Sequence, residues 1–246
     1  MNKKMLEMAL LTAGLLVGTG AMADAMQFSP YSADYDMERK GIGSAKGTFT
    51  LSKQADDNYE YKSVLHPTGI ATLLAKDITQ TSDFKLVNGR PQSSSYTYSE
   101  KGKPGDDETV QFNWTAKSAA MDQAGKKSKT ALGDNSVDVQ LIQLLLASDL
   151  AAGRLADSYQ LVDKGDATTY TVKSLPDAKL RLQSGNFQTK VVTLTNAAKK
   201  RTITAWLAPN LHYLPVQVQQ VDRNTVTLTL LHVSFKDEAA PAADTK

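Results

Sequence analysis

Residues 201–235, RTITAWLAPNLHYLPVQVQQVDRNTVTLTLLHVSF, decide the fold class. Ile203, Ala205 and Leu207 alternate with Thr202, Thr204 and Trp206, the period of two that sends successive side chains to opposite faces of a strand. Pro209 and Asn210 break the run. A second run, from Tyr213 to Val221, sets Val216 and Val218 against Gln217 and Gln219, and a short turn at Asp222, Arg223 and Asn224 leads into Val226, Leu228 and Leu230. The reading is a strand followed by a hairpin. The apolar phase inverts at Gln219 and Gln220 and again at Leu230 and Leu231, after which Leu231, Val233 and Phe235 carry the apolar face. A one-residue slip turns every side chain over. Each inversion therefore predicts a β-bulge or a passage between packing environments, and so a curved sheet; a strand end buried on both faces is the simpler alternative.

The same pattern extends upstream. Tyr31, Ala33, Tyr35 and Met37 alternate with Ser32, Asp34, Asp36 and Glu38, and after a turn at Gly41, Ile42 and Gly43 the runs around Phe49 and Leu51 and around Tyr59, Tyr61, Ser63 and Leu65 complete a three-stranded meander. Residues 66–77, HPTGIATLLAKD, interrupt the alternation and place Ile70, Leu73 and Leu74 on a short helix or apolar loop. Strands at 79–87 and 92–98 flank Asn88 and Gly89, a dipeptide that tolerates positive φ and marks a tight hairpin. Residues 101–107 and 123–129 read as polar loops on either side of a strand at 109–114. Four more strands are expected near 158–162, 168–172, 179–183 and 187–195, with turns at Gly165, Pro176 and Gly185.

One segment breaks the strand pattern. Asp134, Asn135 and Ser136 offer a cap for a helix running to about Ala152, and Gly153 stands where a left-handed terminator is needed. Its apolar residues, among them Val137, Leu141, Ile142, Leu144, Leu145 and Leu146, cover more than one face, which predicts a helix largely buried against or inside the sheet. Asp138, Gln140, Gln143 and Asp149 interrupt it too often for a membrane span. The expected fold is mainly β: one strongly curved antiparallel sheet, a β-roll or open barrel, with one buried helix.

The chain has 246 residues, of which 41% are hydrophobic and 22% charged, an ordinary globular composition. Lys3 and Lys4 precede an apolar run from Met8 to Val17, and Ala21, Met22 and Ala23 form a small-residue cleavage site, so residues 1–23 read as a secretory signal peptide cleaved after Ala23. One domain is expected over 24–236, followed by a disordered tail at 237–246. With no cysteine there is no disulfide framework, lipidation site or thiol catalysis, and a periplasmic address suits the composition. A formal charge of +2 argues against nucleic acid as partner, and a monomer is expected.

PYSADY at 30–35, YEY at 59–61, Thr68 with Gly69, NGRPQSSSYTY at 88–98, VQFNW at 110–114 and ITAWLAPNLHYLPVQV at 203–218 resemble an exported proteobacterial family catalogued as a domain of unknown function. The resemblance covers nearly all of the mature chain. It implies a periplasmic β-roll similar in architecture to the lipoprotein carriers and the spiral envelope-integrity proteins of alphaproteobacteria, and it carries over no catalytic residues.

Sites are weighed against plain structural roles. His66, His212 and His232 lie at no metal-ligand spacing, no nucleophile motif such as G-x-S-x-G occurs, and Gly41, Gly43 and Gly47 precede a strand where a phosphate-binding loop needs a helix. No enzyme, metal or cofactor is expected. Asp34, Asp36 and Glu38 read as the wet face of a strand, and Asp106, Asp107 and Glu108 as a solvated loop. Lys126, Lys127 and Lys129, with Lys199, Lys200 and Arg201, read as turn decoration, with anionic lipid or glycan as the alternative. The apolar set Ile70, Leu73, Leu74, Leu141, Leu144 and Leu145 differs in kind, since it could line or lid a cavity in a sheet that bends without closing. The expected function is non-enzymatic: binding a lipid or other apolar ligand, or an apolar partner segment, in the concave face for envelope maintenance. The alternative is an envelope interaction protein that acts through its surface with no ligand cavity.

Overall fold

A computed structural model describes residues 28–41, 43–73 and 75–236. The signal peptide expected at 1–23 and the tail expected at 237–246 lie outside the described residues, as does Leu74. Eight strands come first: β1 (Tyr31–Arg39), β2 (Gly43–Lys53), β3 (Asn58–Thr68), β4 (Ile78–Val87), β5 (Arg90–Glu100), β6 (Glu108–Asn113), β7 (Ser118–Gln123) and β8 (Lys126–Ala131). A short β9 (Ser136–Asp138) and the helix α1 (Ile142–Ala151) follow. The chain then returns to strands with β10 (Ser158–Asp163), β11 (Asp166–Leu182), β12 (Gly185–Asn196), β13 (Arg201–Ala208), β14 (Leu214–Val221) and β15 (Thr225–Phe235).

All of these strands belong to one sheet. Except for β8 and β9, neighbours in sequence are neighbours in the sheet, and β1 lies beside β15, so the sheet consists of two meanders, β1–β8 and β9–β15, sewn together where the described chain begins and ends. Pairing is antiparallel except between β9 and β10. The two edges, β8 and β9, are consecutive in the chain, and the Ser128 hydroxyl of β8 reaches the Gly165 carbonyl of the β10–β11 turn at 3.3 Å. The sheet is thus a curved roll that is not closed into a barrel.

Bulges produce the curvature. Asp34 opposes His232 while Tyr35 opposes Leu230, leaving Leu231 as the extra residue where the sequence inverts its apolar phase. Further shifts lie at Trp206/Leu207, Asp83/Phe84 and Leu175/Ala178. At Gln219 and Gln220 the β14–β15 register is regular, so that inversion is not a bulge; Gln220 is a polar residue turned inward.

Several expected elements take other forms. The loop expected at 123–129 holds the β7–β8 hairpin, whose turn has positive φ at Ala124 and Gly125. Its edge strand, KKSKTA, is exposed apart from the half-buried polar Ser128 and Thr130 and so shows no apolar alternation. Edge lysines of this kind oppose pairing with another chain. The strands expected at 168–172 and 179–183 are one strand, β11, continuous through a bulge at Pro176. With β12 it forms an arm whose tip leans back across β13 and β14, so that the Ser184 hydroxyl donates to the Leu230 carbonyl at 2.7 Å. The helix starts later than its expected cap, because Ser136–Asp138 is drawn into parallel pairing with β10. Gly153, with φ 61°, ends it as expected, and the Arg154 N–H closes the terminus on the Asp149 carbonyl at 2.8 Å.

The helix fills the concave side. Leu141, Ile142 and 144–149 are buried, and they join Tyr31, Tyr35, Phe49, Tyr59, Tyr61, Phe84 and inward residues of β10–β15 in one core. Tyr59 stacks on Phe84 at 5.2 Å and Tyr35 meets Phe49 edge-on at 5.1 Å, so aromatic rings occupy most of the space on the β1–β5 side.

Candidate functional site

The site begins with how the helix is held. Asp138, fully buried, accepts from the Ser82 and Ser93 hydroxyls at 2.7 Å each and from the Gln140 and Leu141 N–H groups at 3.0 and 2.8 Å. It therefore caps the helix start and ties it to β4 and β5 in one stroke. Even so, burial raises its carboxyl above the ordinary range, those hydrogen bonds only partly opposing the shift. The Gln140 amide donates to the Tyr61 carbonyl at 2.7 Å. At the other end Asp149, also fully buried, accepts from Arg90 through two bonds of 2.8 and 2.7 Å, from Arg154 Nε at 3.1 Å and from the Tyr159 hydroxyl at 2.7 Å. The Ser148 hydroxyl reaches the Gly89 carbonyl at 2.7 Å. With the exception of Tyr159, these partners belong to β3–β5, their turns and the helix's own terminus.

Nearer its start the helix turns Ile142, Gln143 and Leu146 toward a cavity of about 200 Å³. Ile142 and Leu146 from the helix and Leu161, Leu194, Ile203, Ala205, Leu207 and Val218 from β10–β14 give it an apolar wall. Its polar lining consists of Gln143, Asp163, Tyr170, Arg201 and Gln220. Arg201 is set by Asp222, whose Oδ2 accepts from Nε at 3.1 Å and from the Gln220 amide at 3.1 Å and forms an ion pair with Nη2 at 3.1 Å. The Asn224 N–H, then Arg201, holds the Asp222 carboxyl below its usual range.

Val139 and Asp163 also line a second, polar cleft of about 450 Å³, together with Gln80, Tyr96, Tyr98, Asp106, Glu108 and Lys164. Glu108 is 4% exposed and accepts from the Lys164 N–H. It corrects the reading of 106–108 as uniformly solvated: Glu108 opens β6 in phase with the inward Val110. Burial raises both Glu108 and Asp163, in the second case against the pull of Lys199, Lys164 and Arg201.

The expected cavity set divides. Leu141, Leu144 and Leu145 are in the core. Leu144 faces a small pocket of about 20 Å³ beside Phe28, Leu51 and Phe235, and Leu145 a cleft beside Arg90 and Trp114. Ile70 and Leu73, at 71% and 83% exposed, lie on the 3-10 turn Gly69–Leu73, away from the helix core. That turn packs on Gly43, where a Cβ would lie 2.7 Å from the Ala71 methyl. The expected set thus contains the helix but not its cavity-lining residues Ile142, Gln143 and Leu146, nor Arg201 as part of a site. Ile70 lines a groove of about 790 Å³, wide open and bordered by Asp36, Glu38, Arg39 and Lys46. His66 Nδ1 lies 3.0 Å from Asp77 Oδ1, bracing the ends of the irregular segment. Among the described residues no group of three or more His, Asp or Glu side chains could hold a metal ion.

A family model described as a protein of unknown function, DUF3108, matches residues 31–230. Comparison with curated proteins found no match. Among solved structures, the beta-barrel-like protein of domain of unknown function DUF1849 from Brucella abortus has a TM-score of 0.57 at 11% identity, over 85% of this chain and 98% of that one. It shares the fold. The MucA/MucB complex of Pseudomonas aeruginosa has a TM-score of 0.36 at 12% identity, over 91% of this chain and 56% of that one. For a LolA superfamily protein from Nitrosomonas europaea the values are 0.27 and 10%, over 88% and 91%.

Proposed function

We propose that this chain, which belongs to the DUF3108 family of proteins of unknown function, is a non-enzymatic binding protein of the cell envelope that holds an apolar group between α1 and the concave face of β10–β14. One observation carries the reading: the helix is fastened at its two ends by buried carboxylates, and between them it faces an unfilled space with an apolar wall and a polar set of residues. Interiors pack to crystal density, and an apolar void forfeits the contacts of its lining. An engineered apolar cavity of about 150 Å³ binds benzene. A space of about 200 Å³ therefore suits a ring or short chain rather than a whole lipid. The proposed place of action is the periplasm, on the export leader read at 1–23.

Displacement of a neutral fluorescent naphthylamine tests this. The dye should bind the native protein, and Ala205→Leu, which fills the cavity from a position 4% exposed, should abolish binding while leaving the fold intact. Undiminished binding to the filled variant would move the site elsewhere. A surface-acting role draws on Ile70 and Leu73, two large apolar side chains in water beside an open groove. In-cell crosslinking from position 73 separates the readings, because a surface role requires one specific envelope protein to be captured there.

A further inference from the structure

Arg201 stands out as the basic side chain of a cavity whose other polar lining is Gln143, Asp163, Tyr170 and Gln220. It lines the space from the first position of β13, and Asp222, which fixes it, is not part of the lining. Around the same mouth, Lys199 donates from Nζ to the Thr168 hydroxyl at 2.7 Å, and Lys164, Lys199 and Arg201 all act on Asp163. Lys199 and Lys200 lie in the exposed turn before β13, and of that group it is Arg201 that lines the cavity. The adjoining cleft holds Asp106, Glu108 and Lys164, and Asp163 borders both spaces. Gln220 and Gln143 add neutral amides beside Arg201, and Gln220 points inward where the β14 sequence drops its apolar phase.

Resting on the cavity reading above, we infer that the ligand is a short anionic amphiphile, its carboxylate held by Arg201 and its tail lying between Ile142, Leu146 and the β13–β14 wall. The guanidinium is suited to that task, being permanently charged and presenting several donors in one plane. The carboxylates of the neighbouring cleft repel the head and confine it to the Arg201 side. The volume limits the tail. Six carbons of benzene occupy an engineered cavity of about 150 Å³, which scales to about eight carbons here.

Calorimetry on the full chain, freed of co-purified lipid, with octanoate, octanol, octylamine and hexadecanoate decides the matter. Octanoate should bind about tenfold more tightly than octanol or octylamine, the value of one charge-assisted hydrogen bond. Hexadecanoate should gain nothing over octanoate. Arg201→Gln should remove the advantage of octanoate over octanol. Equal or better binding of octanol or octylamine, or tighter binding of hexadecanoate than of octanoate, by the native protein overturns the inference and leaves the cavity reading standing. Binding of none of the four removes both. The native ratios decide even where Arg201→Gln fails to fold, which loss of octanol binding would reveal.

Discussion

The two meanders treat the same helix in opposite ways. The β3–β5 side meets it with polar clasps, Ser82 and Ser93 on Asp138, Arg90 on Asp149 and the Tyr61 carbonyl on Gln140, and with stacked aromatic rings that leave little space. The β10–β14 side, apart from the Tyr159 hydroxyl on Asp149, meets it mainly with aliphatic residues and leaves about 200 Å³ open. A helix attached by apolar contact alone would settle into such a space and close it. Directional hydrogen bonds at its two ends fix its position, and this allows the stretch between them to stay underpacked. In the proposed function the buried carboxylates would therefore serve binding without lining the cavity.

The sharpest way to break this comparison is to cut a clasp. Asp149→Ala leaves Arg90, Arg154 and the Tyr159 hydroxyl without their acceptor, and should cost about 4 kcal/mol in urea unfolding. The same change should lose the dye-binding cavity under conditions where the protein is still folded. A cost below about 1 kcal/mol would mean that the aromatic packing alone holds the helix.

Two helix leucines sharpen it next. Leu144 and Leu146 are both 3% exposed, yet Leu144 packs beside a pocket of about 20 Å³ and Leu146 beside the large cavity. Leu144→Ala should cost about 3 kcal/mol and Leu146→Ala about 2 kcal/mol, because part of the Leu146 surface already lacks partners to lose. Equal losses would mean that the two faces are equally packed. In the same direction, Ala205→Leu should raise stability by about 0.5–2 kcal/mol, as filling a cavity does, while it removes binding. Thermal unfolding reads all three.

How much of this was legible in the sequence follows from the same asymmetry. Period-two alternation exposes strands wherever one face is wet and the other dry, so β1–β5 and β13–β15 are plain, and the Leu231 bulge shows as a phase inversion. The turn at Asn88 and Gly89, with φ of 53° and 70°, and the helix end at Gly153 follow from residue types that accept positive φ. The clasps stay hidden because a buried aspartate looks in sequence like an exposed one. Asp138 and Asp149 read as interruptions of an apolar helix, and their partners Ser82, Ser93 and Arg90 are distant in the chain. Two polar signals were present and point inward: Glu108 in register with Val110, and Gln220 where Val218 calls for another apolar residue. Both border the cavity or the cleft beside it.

The smallest effect tests the mouth between the two sides. Burial holds the carboxyls of Asp138, Glu108 and Asp163 above their ordinary values. A carboxyl whose folded-state pKa exceeds its unfolded one binds its proton more firmly in the fold. Its stabilising share is complete below the unfolded value, near 4, and is lost as pH rises through the folded value. Stability set by these three groups therefore declines from about pH 4 upward, whereas the lowered Asp222 works in the other sense, losing its share as pH falls through its own value. Asp163→Asn should flatten part of the decline in urea titrations run from pH 4 to 7, without changing the clasp that Asp138 makes. Because Asp163 borders both the cavity and the acidic cleft, the variant also removes the charge that faces Arg201 across the opening. Octanoate should then bind more tightly at pH 7 while octanol stays the same. A variant that leaves both the slope and the octanoate affinity unchanged would show that Asp163 does not couple the two sides.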